Sequence, residues 1–358
     1  MAAFTEAQQL ALGIVPQVLS FFSLIAGLYM VIKILKNRQS LLARMYHRLM
    51  FAVAINVVFL SIRTLFVFFA VPVGTPDSPL ARGNTQTCSA AGFLYHFFFL
   101  AVLSYYCALS IYSYVAIQNN FQDEKYSWIE KWIHLGVYVV PVGSGLYLLS
   151  IDAFNYIGQG CYIASVPLGC GNDSGVVCTR GPLNIGQIQW IFGAAPIIVT
   201  MVLSAVVMTV LYFKVKRKTN SKNRKEQCCQ PPVQETSATI DAKKVGRQGF
   251  IYVSVLYWSY IFTFVNVTAV FAFGVRSFAL QLLAQNERLL GLYITMAYRF
   301  FSRDHRKGQD GPKSDRTTAD PSDGDITDAI QETGTSRHGR RQTPDQNCSF
   351  SIFDGIAC

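Results

Sequence analysis

The chain has 358 residues, of which 51% are hydrophobic and only 15% are charged. An ordinary soluble domain carries about 25% charged residues, so the composition excludes that class and indicates a protein embedded in lipid. The formal net charge of +10 would also suit a nucleic-acid-binding protein. The basic residues flank apolar stretches, however, so we interpret the charge as membrane topology and predict no nucleic-acid partner.

Apolar stretches recur along the chain at the length of about 20 residues that a helix needs to cross a bilayer. Their continuous apolar character predicts helices, because the strands of a membrane barrel would alternate polar and apolar residues. We therefore predict an all-α fold, a bundle of seven transmembrane helices at residues 14–35, 46–71, 89–117, 129–151, 186–213, 249–273 and 278–299. A short extracellular N-terminus (1–13) precedes the bundle, and a polar tail (300–358), predicted to be disordered, follows it.

Lysine and arginine residues lie on alternate sides of the predicted spans. The first, third and fifth connections hold most of them, whereas the second, fourth and sixth hold one each: Arg82, Arg180 and Arg276. Cytoplasmic loops are enriched in positive charge, so the N-terminus is predicted to be outside the cell and the C-terminus in the cytoplasm. This is the topology of a multi-pass protein of the plasma membrane.

The predicted cytoplasmic side carries candidate contacts for a signalling partner. They are basic or aromatic residues at the inner ends of the second, third, fifth and sixth spans: His47, Arg48, Tyr112, Lys214, Lys216 and Arg247. Anionic lipid headgroups are the alternative partner for each basic residue among them.

Four cysteines lie on the predicted outer side, namely Cys88 at the start of the third span and Cys161, Cys170 and Cys178 in the second outer connection. An oxidising exterior permits disulfides there, and the sequence leaves three pairings open. A Cys88–Cys161 bond would hold the connection over the third helix and leave the other two cysteines to close a small loop. Asn172, in an Asn-Asp-Ser triplet, is predicted to be an N-glycosylation site.

Two charged residues fall inside predicted spans at similar depth, Arg63 in the second and Glu287 in the seventh. Charges within the membrane are costly and mark functional sites, and the second and seventh helices are neighbours in a seven-helix bundle. We hypothesise that Arg63 and Glu287 form an ion pair or contact a polar ligand. The alternative is that each reaches water, or Arg288, separately. Tyr95 and His96 of the third span are further candidate ligand contacts.

Residues suited to catalysis are not grouped in the sequence. The five histidines are scattered, without the His-x-x-x-His or His/Asp spacing typical of metal sites. A retinal protein would need a lysine in the seventh span, and residues 278–299 contain none. We therefore predict a protein that is not an enzyme and has neither a cofactor nor a metal ion.

Several local patterns are similar to those of one receptor family. In the membrane core they are Tyr46-His47-Arg48-Leu49, Cys88, Leu109-Ser110-Ile111-Tyr112, and Ile129-Glu130 followed by His134. In the second outer connection they are Cys161-Tyr162-Ile163-Ala164, then Pro167-Leu168-Gly169-Cys170, and Cys178. Through these patterns residues 14–275 resemble the cyclic-AMP-receptor-like and secretin-like (family 2) G-protein-coupled receptors of amoebae and unicellular algae.

The resemblance implies a Cys88–Cys161 disulfide and a receptor that binds an extracellular ligand and activates a heterotrimeric G protein. In the seventh span only Gly291 and Tyr298 match clearly. A decoy receptor impaired in signalling is therefore one alternative. The other is a transporter or channel, although the chain has no evident internal repeat and seven spans do not divide into two equal halves. The sequence does not specify the ligand.

Overall fold

The computed structural model describes residues 5–36, 45–75, 81–118, 127–158, 160–167, 170, 176–229, 237–273 and 277–307. Within these ranges the chain forms seven long helical segments, as the all-α prediction expected. Four of them are uninterrupted helices: α1 (Glu6–Lys36), α3 (Thr85–Gln118), α4 (Ser127–Ser150) and α6 (Ser237–Phe273).

The other three segments are composite. In α2, the helix Met45–Leu65 is followed by a helical turn, Val67–Ala70. In α5, a short helix Ile185–Gln189 and a π-helical turn Trp190–Ala194 lead into the helix Ala195–Cys229. In α7, a 3-10 turn Gln285–Leu289 separates the helices Phe278–Ala284 and Leu290–Lys307.

Both ends of the bundle extend beyond the predicted spans. The α1 helix begins at Glu6, inside the segment 1–13 that was predicted to be an extracellular N-terminus. The reason is a capping box, because Thr5 and Gln8 each accept a hydrogen bond from the backbone N–H of the other. The α7 helix continues to Lys307, past the predicted boundary at 299. The rest of the predicted tail lies outside the described residues.

Six of the segments, α1 to α6, are long and apolar enough to cross a membrane, with mean hydropathy between 1.5 and 2.4 over their most apolar windows. The seventh segment differs because its first helix has only seven residues before the 3-10 turn. That turn contains Glu287 and Arg288. A 3-10 stretch within a longer helix is typical of a hinge or of local strain. In α7 this interruption coincides with the charged residues.

The interior of the bundle is rich in aromatic side chains, while its periphery is apolar. Tyr105, Tyr106 and Tyr260 are fully buried. Large apolar residues such as Phe21 and Val140 are half exposed or more, at 51% and 62%. Apolar surface of this extent marks contact with a membrane or a partner, and on membrane-length helices it is the face presented to lipid.

Gly291 brings α7 against the backbone of α1. A Cβ atom placed there would lie 2.6 Å from the carbonyl oxygen of Ser23. The Gly291 N–H donates a hydrogen bond to Ser23 Oγ at 3.0 Å, and Thr295 Oγ1 donates to the Ala26 carbonyl at 2.9 Å. These contacts hold α7 in the bundle although its apolar stretch is short.

The connection between α4 and α5 contains a β-hairpin that the all-α prediction did not include. Its strands, β1 (Phe154–Tyr156) and β2 (Cys161–Ile163), pair antiparallel. Gly158 in the turn has a φ of 93°, a conformation that glycine adopts without steric cost. Strands of three residues are too short for their alternation to stand out in a sequence.

Two disulfides anchor this connection. Cys88 of α3 is bonded to Cys161 of β2, and Cys170 is bonded to Cys178. Of the three possible pairings, this is the one that the family resemblance implied, and it is confirmed. We call the end of the bundle that carries the hairpin the hairpin end. The opposite end, where α2 begins and α3 ends, is the basic end.

Candidate functional site

Tyr95 of α3 lies at the centre of a cluster of charged side chains near the hairpin end. Its hydroxyl donates a hydrogen bond to Glu287 Oε1 of α7 at 3.1 Å. The guanidinium carbons of Arg63 and Arg288 lie 4.7 Å and 5.1 Å from its ring centroid. Cation–π contacts extend to about 6 Å, so one aromatic ring connects basic groups of α2 and α7. We call Arg63, Tyr95, Glu287 and Arg288 the charged cluster.

Glu287 is held by three neighbours. Besides Tyr95, Thr263 Oγ1 of α6 donates a hydrogen bond to Glu287 Oε2 at 3.0 Å. Arg288 Nη2 lies 3.3 Å from Glu287 Oε1, and both side chains are largely buried, at 17% and 11% exposure. Through this one carboxylate the cluster joins α3, α6 and α7.

Arg63 makes different contacts from those predicted. Its Nε donates to the Ala91 carbonyl at 3.1 Å, and its Nη2 donates to the Cys161 carbonyl of the hairpin. Among the described residues it has no ion pair with Glu287, whose basic partner is Arg288. The predicted direct ion pair is therefore replaced by an indirect link through Tyr95, because the 3-10 turn places Arg288 beside the carboxylate.

Arg288 was considered in the sequence only as an alternative partner for Glu287, and the structure places it within the cluster. Its Nη1 donates to Thr64 Oγ1 of α2 at 3.3 Å, so it connects α7 with α2. The cluster thus contains two guanidinium groups and one carboxylate. Its formal charge is positive, which suits an anionic group more than a cation.

The hairpin rests directly on the cluster. The Tyr162 ring of β2 packs edge-to-face on Tyr95, with a centroid distance of 4.9 Å. Burial raises the pKa of Tyr162 well above its ordinary value, so its hydroxyl stays protonated at neutral pH. Together with the Arg63–Cys161 contact, this ring pair connects the hairpin to the cluster. In the sequence, Tyr162 stands out only as part of the Cys-Tyr-Ile-Ala pattern. That pattern does not predict the contact of Tyr162 with Tyr95.

The polar space around the cluster is small. A cavity of about 10 Å³ is lined by cluster residues and by hydroxyl side chains of α1 and α2, including Ser20, Ser23 and Thr64. Such a volume accommodates about one water molecule, whereas ligand pockets span about 300–1,000 Å³. This cavity is therefore too small for a ligand of ordinary size, and we call this conformation the closed state.

His96, predicted beside Tyr95 as a ligand contact, lies on a different face of α3. Its Nε2 is 2.9 Å from Ser144 Oγ of α4, and the residue is fully buried. Its ring is packed among Phe154 and Tyr162 of the hairpin and Phe192 of α5. The structure therefore brings Arg63, Tyr95 and Glu287 together and separates His96 from them.

A second polar network lies at the basic end. Arg48 of α2 forms two hydrogen bonds with the Glu130 carboxylate of α4, one of them from Nη2 to Oε2 at 2.7 Å. His134 Nε2 is 3.7 Å from Glu130 Oε1, and His134 Nδ1 is 2.7 Å from the Tyr105 hydroxyl of α3. Bidentate arginine–carboxylate pairs have fixed geometry, so this network sets the positions of α2, α3 and α4.

The other residues predicted to contact a partner lie around the same end. Lys216 and Arg247 are exposed, and the Arg247 guanidinium lies 5.0 Å from the Phe300 ring centroid. Lys214 Nζ donates to the Tyr114 hydroxyl at 2.6 Å. Two further predicted contacts, His47 and Tyr112, are half-buried and lie against the Tyr46 ring, at 5.3 Å and 6.5 Å.

Two other predictions concern modification and metal binding. Asn172, the predicted glycosylation site, lies outside the described residues. Across the ranges that the structure describes, no three His, Cys, Asp or Glu side chains are grouped so as to hold a metal ion.

No protein-family model and no curated protein matches the chain. Solved structures do match, among them squid rhodopsin, with a TM-score of 0.61 at 12% sequence identity over 86% of this chain and 85% of that one. The chain has the seven-helix bundle fold of squid rhodopsin. At this identity the similarity concerns the fold alone. The charged cluster, the hairpin and the network at the basic end are therefore interpreted from their own geometry.

Proposed function

We propose that the protein is a plasma-membrane receptor that binds an extracellular ligand and activates a heterotrimeric G protein. The observation that carries this proposal is the position of the charged cluster. It is in contact with a disulfide-anchored hairpin, through Tyr162 and Cys161, and it joins α2, α3, α6 and α7. A ligand that moves the hairpin therefore acts on four helices at once.

The proposed mechanism is a shift between two packing states of the bundle. In the closed state, Glu287 holds α6 through Thr263 and α3 through Tyr95. A ligand at the hairpin end that competes for Arg63, Arg288 or Tyr95 weakens these links and favours a state in which α6 moves relative to α3. Such a ligand changes the equilibrium only by its difference in affinity for the two states.

The proposed orientation places the hairpin end outside the cell, with the N-terminus, and the C-terminus in the cytoplasm. The Cys88–Cys161 and Cys170–Cys178 disulfides support an oxidising exterior for this end. The excess of lysine and arginine in the odd-numbered connections supports a cytoplasmic location for the basic end.

The G protein is proposed to bind at the basic end. The exposed Lys216 and Arg247 are direct contacts in this proposal. Arg48 is engaged with Glu130, so we assign it, with the half-buried His47 and Tyr112, to shaping the surface rather than forming most of it. Lys214, bonded to Tyr114, lies at the edge of the same surface.

We propose that the protein belongs to the cyclic-AMP-receptor-like and secretin-like group of these receptors. Arg48 and His134, which carry part of the sequence resemblance in the second and fourth spans, both approach Glu130, a third residue of that resemblance. Matched residues that form one network in the structure support the family proposal better than matches that lie apart.

The proposal is tested by nucleotide exchange. The purified chain is placed in lipid nanodiscs with each heterotrimeric G protein of its source, and nucleotide release is compared with that in empty nanodiscs. In parallel, the same protein is reconstituted in vesicles and solute flux is measured. Exchange above the empty control supports the receptor. Flux without exchange by any G protein would overturn it in favour of a transporter or channel, and neither activity would indicate a decoy.

A further inference from the structure

A groove of about 540 Å³ opens on the lipid-facing side of the bundle between α2 and α3. This volume is within the range of about 300–1,000 Å³ found for small-molecule sites. The groove has no part in the mechanism proposed above, yet it shares Arg63 with the charged cluster.

The walls of the groove are aromatic and its base is formed by small residues. Ala90 and Ala91 of α3 leave the space open. The rings of Phe59 and Phe98 stack at 5.1 Å on the side toward the membrane centre. Toward the hairpin end the groove is bordered by Phe66 and Phe69 of α2, their ring centroids 6.0 Å apart. An apolar chain along this groove would exchange contact with bulk lipid for contact with fixed aromatic rings.

Arg63 gives the groove a positive charge. Two of its five N–H donors bind the Ala91 and Cys161 carbonyls. Among the described residues it has no carboxylate partner, since Glu287 pairs with Arg288. A guanidinium at membrane depth without a counter-ion is costly, and an anion bound beside it would lower that cost.

We propose that the groove binds a long-chain fatty acid, with its carboxylate on Arg63 and its alkyl chain along the phenylalanine walls. The positive charge favours an anionic group, and the apolar walls favour an alkyl chain. Binding of this ligand does not depend on signalling. Its role as the activating ligand rests on the proposed function, because a carboxylate on Arg63 would change the contact of Arg63 with Tyr95 and with the hairpin.

The experiment measures binding of radiolabelled palmitate to the full chain in phosphatidylcholine nanodiscs. Hexadecanol is the uncharged competitor of equal chain length, and phosphatidylglycerol is the anionic phospholipid competitor. Ala90→Trp fills the groove but retains Arg63, whereas Arg63→Gln removes the charge but leaves the groove open. Val140→Trp, on a lipid-facing site of α4 that is 62% exposed, is the matched control. The thermal midpoint of each variant in nanodiscs, compared with that of the parent chain, checks that the variant is folded.

The proposal expects saturable palmitate binding, with hexadecanol at least about tenfold weaker, because a charge-assisted hydrogen bond is lost. Ala90→Trp should abolish binding, Arg63→Gln should weaken it about tenfold, and Val140→Trp should leave it unchanged. Equal affinity for palmitate and hexadecanol, or full binding by Ala90→Trp, would overturn the proposal. Displacement of palmitate by phosphatidylglycerol at equal mole fraction would overturn it too, by identifying a phospholipid as the occupant.

Signalling is a separate readout, so that failure of the two proposals can be told apart. Palmitate that binds but does not change nucleotide exchange leaves the groove assignment standing and contradicts its role in activation. Exchange that proceeds without any palmitate binding contradicts the groove and leaves the receptor standing.

Discussion

Glu287 of α7 accepts a hydrogen bond from the Tyr95 hydroxyl of α3, at 3.1 Å, and so connects two helices through residues that are 192 positions apart in sequence. The same carboxylate accepts a hydrogen bond from Thr263 of α6 and is paired with Arg288. Hydrogen bonds to a charged group with little exposure are stronger than those between neutral groups. The Tyr95–Glu287 contact is therefore the link on which the proposed switch depends.

Replacing Glu287 with glutamine should destabilise the folded bundle by about 3 kcal/mol, because it leaves Arg288 buried without its partner. The double variant Glu287→Gln/Arg288→Gln should lose less than the sum of the two single changes. Thermal unfolding of the four proteins in nanodiscs measures this coupling. Additive losses would mean that the Glu287–Arg288 pair contributes nothing.

The two disulfides should differ in their effect on stability. Cys88–Cys161 spans 73 residues and Cys170–Cys178 spans 8. The loss of chain entropy on closing a loop grows with loop length, so alanine replacement of the first pair should cost about 4 kcal/mol and of the second about 2.5 kcal/mol. Thermal midpoints of the two double-alanine variants test the order, and the reverse order would contradict it.

Arg48→Lys should weaken the network at the basic end, since lysine cannot form the bidentate bond that Arg48 makes with Glu130. We expect a loss of about 1–2 kcal/mol in the free energy of unfolding. Lys216→Ala, which removes an exposed basic side chain at the same end, is the control and should leave stability unchanged. Equal thermal midpoints for Arg48→Lys and the parent chain would show that the ion pair is not structural.

Gly291→Leu should separate α7 from α1, because a Cβ atom at Gly291 lies 2.6 Å from the Ser23 carbonyl oxygen. Overpacking of this kind costs about 1–3 kcal/mol. Gly143→Leu on α4 is the matched control, since a Cβ atom at Gly143 meets nothing within 4 Å. Thermal unfolding should therefore distinguish two identical substitutions by their surroundings alone.

Much of the fold follows from one-dimensional patterns. Hydropathy indicated the first six helices, because length and apolarity are read directly from the chain. The capping box at Thr5 and Gln8 starts α1 before its apolar stretch begins, so α1 is longer than hydropathy alone predicts. The seventh segment, with its 3-10 turn, was the least apolar of the predicted spans.

The contacts of the candidate site depended on geometry that no pattern carries. Depth along the helices indicated that Arg63 and Glu287 lie at one level, but which arginine pairs with Glu287 depends on the turn that places Arg288 beside it. The contact of Tyr162 with Tyr95 depends on the hairpin, whose strands have three residues each. The Arg48–Glu130 ion pair joins residues that are 82 positions apart. Both belong to the patterns that carry the family resemblance, but those patterns do not indicate that the two side chains are in contact.

The most direct test of the account is nucleotide exchange on a heterotrimeric G protein by the parent chain and by Tyr95→Phe in nanodiscs. Removing the hydroxyl breaks the link to Glu287 and retains the aromatic ring, so basal exchange should rise about fivefold or more. Tyr147→Phe, at an exposed position on α4, should match the parent. Exchange by the parent that Tyr95→Phe leaves unaltered would contradict the proposed role of the charged cluster in signalling.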